Sequence, residues 1–238
     1  MSVEAPPVAP AGHHHRRLTW LLVVALLLGS AWLTGCGDDA RSTGSTWRVL
    51  IEPCRGRTAN RAMAGAVAPD LLVTVAHSFS DAGPISIHQG DEDAALAADL
   101  VYLDADKDIA LLRTRQPLDE HLELDEPDGP GPVGVLRFGE GDGTDGDLGR
   151  IEVDPAEILE LVDATLDGEG RRAAARLEAD IEPGDSGAPV VDPDGRMVAM
   201  VFASGRGGPI GWAVSGVELL EAVRLLGAGG PGAQPPTC

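Results

Sequence analysis

The stretch PGDSGAP at residues 183–189 decides how the rest of the sequence is interpreted. Glycine follows Ser186 directly, so the serine hydroxyl is clear of obstruction by a neighbouring side chain. Gly184 can adopt backbone angles that aim two N–H groups at one point, which is the arrangement of an oxyanion hole. The stretch alone also fits a plain turn. A catalytic interpretation therefore needs a general base and a residue that orients the base.

Two earlier stretches supply candidates for those roles. TVAH at residues 74–77 ends an apolar run with His77, and DIALL at residues 108–112 begins one with Asp108. Taken singly, a histidine or an aspartate at a strand end is usually an ordinary surface, core or turn residue. Together with Ser186, they provide a nucleophile, a base and an orienting acid.

These three stretches resemble the three signatures of trypsin-like serine proteases and occur in that family's chain order. GWAV at residues 211–214 resembles the closing strand of the family's exported bacterial branch. The resemblance covers roughly residues 47–226. It implies an all-β fold of two six-stranded antiparallel β-barrels of the chymotrypsin type, with the site in the cleft between them and a short C-terminal helix.

The resemblance also implies a serine endopeptidase that works through an acyl-enzyme intermediate. Ser186 would attack the scissile carbonyl, His77 would transfer the proton to the leaving amine, and Asp108 would orient the imidazole. The backbone N–H groups of Gly184 and Ser186 would form the oxyanion hole. Asp185 would brace this loop without taking part in the chemistry.

The specificity pocket follows from the same resemblance. Asp180 stands where trypsin has the acid that binds Arg or Lys, although a solvated loop acid is the alternative interpretation. Phe202, Ala203 and Ser204 would form one wall of the primary pocket and pair with the substrate as an added strand. These residues leave open whether the pocket accepts basic or small apolar side chains.

The remaining chain is typical of an all-β protein, because short apolar runs are separated by Gly, Pro and Asp. DPDG at residues 192–195 predicts a hairpin turn. Residues 155–162 and 171–180 are rich in helix-forming residues, and only the resemblance favours strands there. The predicted strands are residues 49–51, 64–67, 71–75, 85–87, 100–103 and 109–112, followed by 133–138, 149–153, 159–162, 173–177, 189–191, 197–202 and 210–214.

One helix is predicted at the C-terminal end. Ser215 and Glu218 have the spacing of a capping box, an apolar stripe follows, and Gly227 has the position of a C-cap. The predicted organisation is a signal peptide at 1–35, a flexible tether at 36–46, the protease domain at 47–228 and a Gly/Pro-rich tail at 229–238. Within the domain, barrel one would span about 47–128, barrel two about 129–214 and the helix 215–227.

The N-terminus has the order of an export signal. Two arginines precede an apolar run at residues 18–28, which is followed by small residues. LTGC at residues 33–36 resembles a bacterial lipobox, which would make Cys36 a lipidated N-terminal residue. The alternative is an uncleaved signal anchor in which Cys36 is unmodified. We therefore expect an exported protein, lipid-anchored at the bacterial cell envelope and facing the periplasm or the cell surface.

Export also affects the two remaining cysteines, Cys54 and Cys238. An even pair in an oxidising compartment usually forms a disulfide, and the alternative is two free thiols.

The charge balance restricts the possible binding partners, because the chain has 18 basic and 38 acidic residues and a net charge of −20. A nucleic-acid partner is not expected.

The sequence predicts no metal site and no cofactor. The run from Asp104 to Asp108 imitates the start of a calcium loop, but Ile109 occupies the required glycine position. The expected partners are a polypeptide substrate and, through the lipid, a membrane, while the oligomeric state stays open. The alternative function is a non-catalytic lipoprotein of the same fold that binds a partner or peptide.

Overall fold

The computed structural model describes residues 44–55, 58–89, 95–139, 151–165 and 171–229. The regular structure of these residues consists of two groups of six strands, one α-helix, α1 (Gly216–Gly227), and a short 3₁₀ turn, His77–Phe79. The first group is β1 (Thr46–Pro53), β2 (Asn60–Ala68), β3 (Leu71–Thr74), β4 (Ala82–His88), β5 (Leu96–Asp104) and β6 (Ile109–Thr114). The second group is β7 (Gly131–Phe138), β8 (Ile151–Thr165), β9 (Arg171–Glu178), β10 (Pro189–Val191), β11 (Met197–Ser204) and β12 (Ile210–Ser215).

Each group closes into an antiparallel barrel. The strand order is β1-β2-β3-β6-β5-β4 in the first barrel and β10-β11-β12-β9-β8-β7 in the second. Closure leaves no free sheet edge and places alternate side chains inside, where branched and sulfur-containing side chains exclude water. The predicted fold class, all-β with two six-stranded barrels and a short C-terminal helix, is confirmed. Among the largest fully buried side chains are Ile51, Leu72, Ile87, Ile109, Leu111, Leu136, Ile158, Leu177, Met197 and Met200.

Strand β8 corrects the prediction of separate strands at residues 149–153 and 159–162. It runs without interruption through Pro155. Its first half pairs with β7 and its second half with β9, with a register shift between Ile158 and Glu160. The sequence contains two apolar runs because one long strand exchanges its partner part-way along.

Strands β8 and β9 also contain the stretches that are rich in helix-forming residues. β9 pairs with β12 on one side and β8 on the other, so its backbone hydrogen bonds are satisfied within the sheet. Ala174 and Ala175 of this strand are buried, and Ala173 is half-buried. Tertiary pairing therefore overrides helix propensity at this position.

The predicted hairpin at residues 192–195 is confirmed, because β10 and β11 pair on either side of it. Gly195 has φ +80° and donates a 3.0 Å backbone hydrogen bond to the Asp192 carbonyl.

The predicted capping box of α1 is wrong. Ser215 precedes the helix but makes no side-chain cap hydrogen bond, since Glu218 instead bonds to Lys107 Nζ and, at 2.9 Å, to the backbone N–H of Ala173.

The C-terminal end of α1 also differs in detail from the prediction. Gly227 is the last helical residue, Ala228 is the cap, and the left-handed φ of +72° occurs at Gly229. Within the described ranges, no helix is long and apolar enough to cross a membrane. The signal peptide, Cys36, Cys238 and most of the tether and tail lie outside the described residues, so those assignments stay predictions.

Candidate active site

His77 and Asp108 are brought together by the pairing of two strands. Strands β3 and β6 pair with Thr74 opposite Ala110, so the chain after β3 and the chain before β6 meet at one end of the first barrel. His77 begins a short 3₁₀ turn, His77–Phe79, and Asp108 directly precedes β6. The sequence-predicted base and orienting acid are therefore neighbours.

Two hydrogen bonds join these residues. The His77 backbone N–H donates to Asp108 Oδ1 at 2.7 Å, and His77 Nδ1 lies 2.8 Å from Asp108 Oδ2. A carboxylate beside Nδ1 selects the tautomer with the proton on Nδ1, which leaves Nε2 as a hydrogen-bond acceptor. The His77 side chain is 49% exposed and that of Asp108 is 11% exposed. The imidazole is therefore accessible from solvent, whereas the carboxylate that holds it is largely buried.

Asp108 has an unusual backbone conformation. With φ +58°, it is the only non-glycine residue in the described part of the chain with a left-handed φ. Such a conformation is strained and persists where the surrounding contacts impose it. One of these contacts comes from within the turn, because the Lys107 backbone N–H donates to Asp104 Oδ1 at 2.9 Å.

The Ser186 loop packs closely against the first barrel. Met63 N–H on β2 donates to the Ser186 carbonyl at 2.7 Å. Gly187 has φ +93°, and a Cβ there would lie 1.8 Å from the Met63 carbonyl oxygen. Glycine is therefore the only residue that allows this approach. In the sequence, Gly187 is recognisable only as part of the motif around Ser186, and nothing there indicates its packing role.

A further bond connects this contact to the strand that precedes His77. Thr74, which lies three residues before His77, donates a 2.6 Å hydrogen bond from Oγ1 to the Met63 carbonyl. Ser186 and His77 are thus held by adjacent parts of β2 and β3. Ser186 is partly exposed, and no hydrogen bond joins its hydroxyl to His77 among the residues that the structure describes. Catalytic hydrogen bonds are often long without substrate and shorten when it binds.

The candidate oxyanion hole lies in the same loop. Gly184 has φ +114°, a conformation that L side chains rarely adopt. Within the described ranges, no acceptor pairs with the backbone N–H of Gly184 or of Ser186. Two backbone donors with no partner among the described residues are thus candidates to stabilise a developing negative charge.

Asp185 stabilises the Ser186 loop through hydrogen bonds. It is buried, and its Oδ2 accepts hydrogen bonds from the Glu182 backbone N–H at 2.9 Å and from Arg137 Nη1 at 3.3 Å. Arg137 also donates to the Asp180 carbonyl at 3.0 Å and pairs with Asp154. Burial lowers the pKa of Arg137, but the charges of Asp154 and Asp185 outweigh it and raise that pKa above its ordinary value.

A cavity of about 530 Å³ lies beside His77 and Asp108. Of the four predicted pocket residues, Phe202 and Ala203 line it, whereas Asp180 and Ser204 do not and are exposed. The Asp180 carboxylate is therefore in the position of a solvated loop acid. The other lining residues are Ala76, Phe79, Ser80, Leu103, Ala105 and Arg172.

Sequence reasoning missed two arginines at this site. Arg137 on β7 supports the Ser186 loop, and Arg172 on β9 is buried 3.9 Å from Asp108 Oδ2. Neither lies within any of the three motifs, and each contacts a partner that is distant in the sequence. No group of three or more potential metal-ligating side chains occurs in the part of the chain that the structure describes.

The sequence profile of the family described as "Trypsin-like peptidase domain" matches residues 63–200, a range that includes His77, Asp108 and Ser186. No curated protein matches the chain in sequence. The fold is similar to that of the Rv3671c protease from M. tuberculosis in its active form, with a TM-score of 0.67 and 19% identity over 100% of this chain and 96% of that one.

The fold is also similar to that of the HtrA-type protease AlgW with tripeptide. The TM-score is 0.66 and the identity 20%, over 81% of this chain and 64% of that one. At these identities, both likenesses show a shared fold.

Proposed function

The chain belongs to the family of trypsin-like peptidase domains, and we propose that it is a serine endopeptidase that cleaves polypeptides through an acyl-enzyme intermediate. The observation that supports this most strongly is the double hydrogen bond between Asp108 and His77. The Ser186 loop is bonded to the same barrel end through Met63 and Thr74. A base, its orienting acid and a candidate nucleophile are thereby collected from three distant stretches of sequence.

In the proposed reaction, Ser186 Oγ attacks the scissile carbonyl carbon and His77 Nε2 takes the hydroxyl proton. The backbone N–H groups of Gly184 and Ser186 donate to the oxyanion that forms. His77 then gives the proton to the leaving amine, and water hydrolyses the acyl-enzyme with His77 again acting as the base. Asp108 keeps the imidazole in the required tautomer and stabilises its protonated form.

The substrate would bind along β11 and the cavity beside His77. An extended peptide can pair with the β11 backbone near Phe202 and Ala203 while its side chains enter the cavity. The walls contributed by Phe79, Leu103 and Phe202 favour apolar side chains. The exposure of Asp180 and Ser204 supports a smaller role for them in this contact.

We also propose that the enzyme is exported and held at the cell envelope. The support is the order of arginines, apolar run and LTGC at the N-terminus, which places Cys36 where lipidation occurs. In that oxidising compartment Cys54 and Cys238 would form a disulfide. The anchor would keep the active site near membrane-associated or periplasmic polypeptides.

The competing function is a non-catalytic lipoprotein of the same fold, and a hydrolysis assay separates the two. The full-length chain, folded in detergent, is incubated with a mixed peptide library, and new termini are read by mass spectrometry. The proposal predicts cleavage by the natural sequence and none by the Ser186→Ala variant. A correctly folded protein that cleaves no peptide would favour the binding function.

A further inference from the structure

Arg172 is the only arginine that is buried within the described residues, with 6% exposure. It lies on β9 of the second barrel and lines the cavity beside His77. A guanidinium group is costly to remove from water unless charges and hydrogen bonds compensate it. Its position therefore requires an explanation, which its neighbours on the strand, including the exposed Arg171, do not need.

Three contacts partly compensate the buried charge, while Arg172 Nε is buried with no hydrogen-bond partner among the described residues. Arg172 Nη1 donates to the Lys107 carbonyl at 2.9 Å and lies 3.9 Å from Asp108 Oδ2. The guanidinium carbon lies 4.5 Å from the centre of the Phe202 ring, in a cation–π contact. Two of these contacts are to the segment that contains the proposed orienting acid.

The Lys107 carbonyl belongs to the peptide bond that enters Asp108. Asp108 has the strained φ of +58°, and this φ sets the direction of its side chain relative to β6. By holding that carbonyl, Arg172 fixes one side of the strained residue. The positive charge also lies near the carboxylate oxygen that contacts His77 Nδ1.

A second connection holds the same segment from the C-terminal helix. Glu218 on α1 bonds to Lys107 Nζ and, through its other oxygen, accepts the Ala173 backbone N–H at 2.9 Å. Ala173 is the residue after Arg172. The turn before Asp108 is thus joined to β9 twice, once directly and once through α1.

We propose that Arg172 is a positioning residue that holds the Asp108 carboxylate against His77. The proposed catalytic effect of this contact rests on the proposed function, since orientation of His77 affects turnover only in an enzyme that uses it as a base. The contact itself is a property of the fold and can be measured without catalysis.

The first readout is structural. In the full-length chain, the His77 Nδ1 proton bonded to a carboxylate is expected to give a proton NMR signal far downfield of the amide region. Loss of the signal in Asp108→Asn identifies it. We expect Arg172→Met, which keeps a long apolar stem, to lose or markedly shift this signal. Arg171→Met is the matched control, because Arg171 pairs with Asp163 at the surface, and it should leave the signal unchanged.

The second readout is kinetic. Arg172→Met should lower kcat for a peptide substrate by about 10²-fold, the loss typical of a small displacement of a catalytic group, with KM changed less than about twofold. In the Asp108→Asn background the same change should have almost no further effect, because the two residues act through one contact. Arg172→Lys, which keeps the charge and a donor, should give a smaller loss.

The outcomes separate the positioning role of Arg172 from the proposed peptidase function. An unchanged NMR signal in folded Arg172→Met, or an equal loss of kcat with and without Asp108, would overturn the positioning role. If no variant, including the natural sequence, hydrolyses peptides, the proposed function fails, while the NMR comparison still decides the positioning role. If Arg172→Met does not fold, Arg172→Lys against Arg171→Lys provides the same test, and no difference between them would contradict the proposal.

Discussion

Both carboxylate oxygens of Asp108 engage the same residue, His77. Oδ1 accepts the backbone N–H at 2.7 Å, and Oδ2 lies 2.8 Å from Nδ1. The first bond fixes the position of the histidine main chain, and the second fixes the tautomer and plane of its ring. This pairing requires the left-handed backbone of Asp108 and the register of β3 against β6.

Asp108→Asn should therefore reduce turnover without unfolding the protein. An amide at this position can donate to Nδ1 and select the wrong tautomer, which costs about four orders of magnitude in kcat. Steady-state kinetics on a peptide substrate measures the loss. Asp106→Asn, an exposed change in the same turn, serves as the control and should retain full activity. A loss of less than tenfold in Asp108→Asn would mean that Asp108 does not orient the base.

Gly187→Ala should be among the most destabilising single changes in the chain. The new Cβ would lie 1.8 Å from the Met63 carbonyl oxygen at a φ of +93°, so either the Ser186 loop or β2 must move. We expect a loss of more than about 3 kcal/mol in the free energy of unfolding, measured by urea denaturation. Gly131→Ala meets nothing within 4 Å and should change stability by less than about 0.5 kcal/mol. Equal stability of the two variants would contradict the close packing of the loop.

Lys107→Met should destabilise the turn before Asp108 in a pH-dependent way. The hydrogen bond that Lys107 Nζ donates to Glu218 raises the Lys107 pKa above its ordinary value of 10.5, although burial lowers it. When folding raises the pKa of a cation, its charge stabilises the folded protein fully at any pH below the pKa in the unfolded chain. That stabilisation is lost as the pH rises through the pKa in the folded protein. At neutral pH we expect a loss of about 1–2 kcal/mol, because the pair is only partly shielded from water.

The pH dependence of that loss provides the decisive comparison for Lys107. The stabilities of the natural sequence and of Lys107→Met, measured by urea denaturation, should converge as the pH rises through the raised pKa of Lys107, where the lysine loses its charge. Arg115→Met, which removes an exposed ion pair with Asp99, should cost less than about 0.5 kcal/mol at neutral pH. If the free energies of unfolding of Lys107→Met and the natural sequence differ by the same amount up to high pH, the charge of Lys107 has no role in the stability.

Cys36→Ser should abolish lipid attachment. Growth of the expressing bacterium with a clickable fatty-acid analogue should label the natural sequence, because Cys36 follows a lipobox-like tetrad. Cys54→Ser retains the tetrad and should remain labelled. Label that persists in Cys36→Ser would place the anchor elsewhere in the chain.

Most strands could be predicted from the sequence because their signals are local, whereas the arrangement in two barrels was predicted from the family resemblance. Turn residues and strand-length apolar runs identify most strands, and the DPDG hairpin has the predicted position. Prediction from the sequence failed where a contact comes from far along the chain. β8 was divided because its partner changes at Ile158, and the capping box was wrong because Glu218 is used by Lys107 and Ala173.

The candidate site shows the same division. His77, Asp108 and Ser186 could be proposed because each lies in a short motif, and the structure joins the first two by hydrogen bonds. Arg137 and Arg172 could not be proposed, since an arginine on a strand has no local signature of a role. These side chains meet the Ser186 loop and Asp108 only through contacts between segments that are distant in the sequence.

Covalent modification by a fluorophosphonate tests the central claim most directly. The full-length folded protein is treated with the probe, digested and examined by tandem mass spectrometry. The account predicts one phosphonyl adduct, on Ser186, formed much more slowly in Asp108→Asn and absent in Ser186→Ala. No adduct on the folded protein, or an adduct on a different serine, would contradict the assignment of Ser186 as an activated nucleophile.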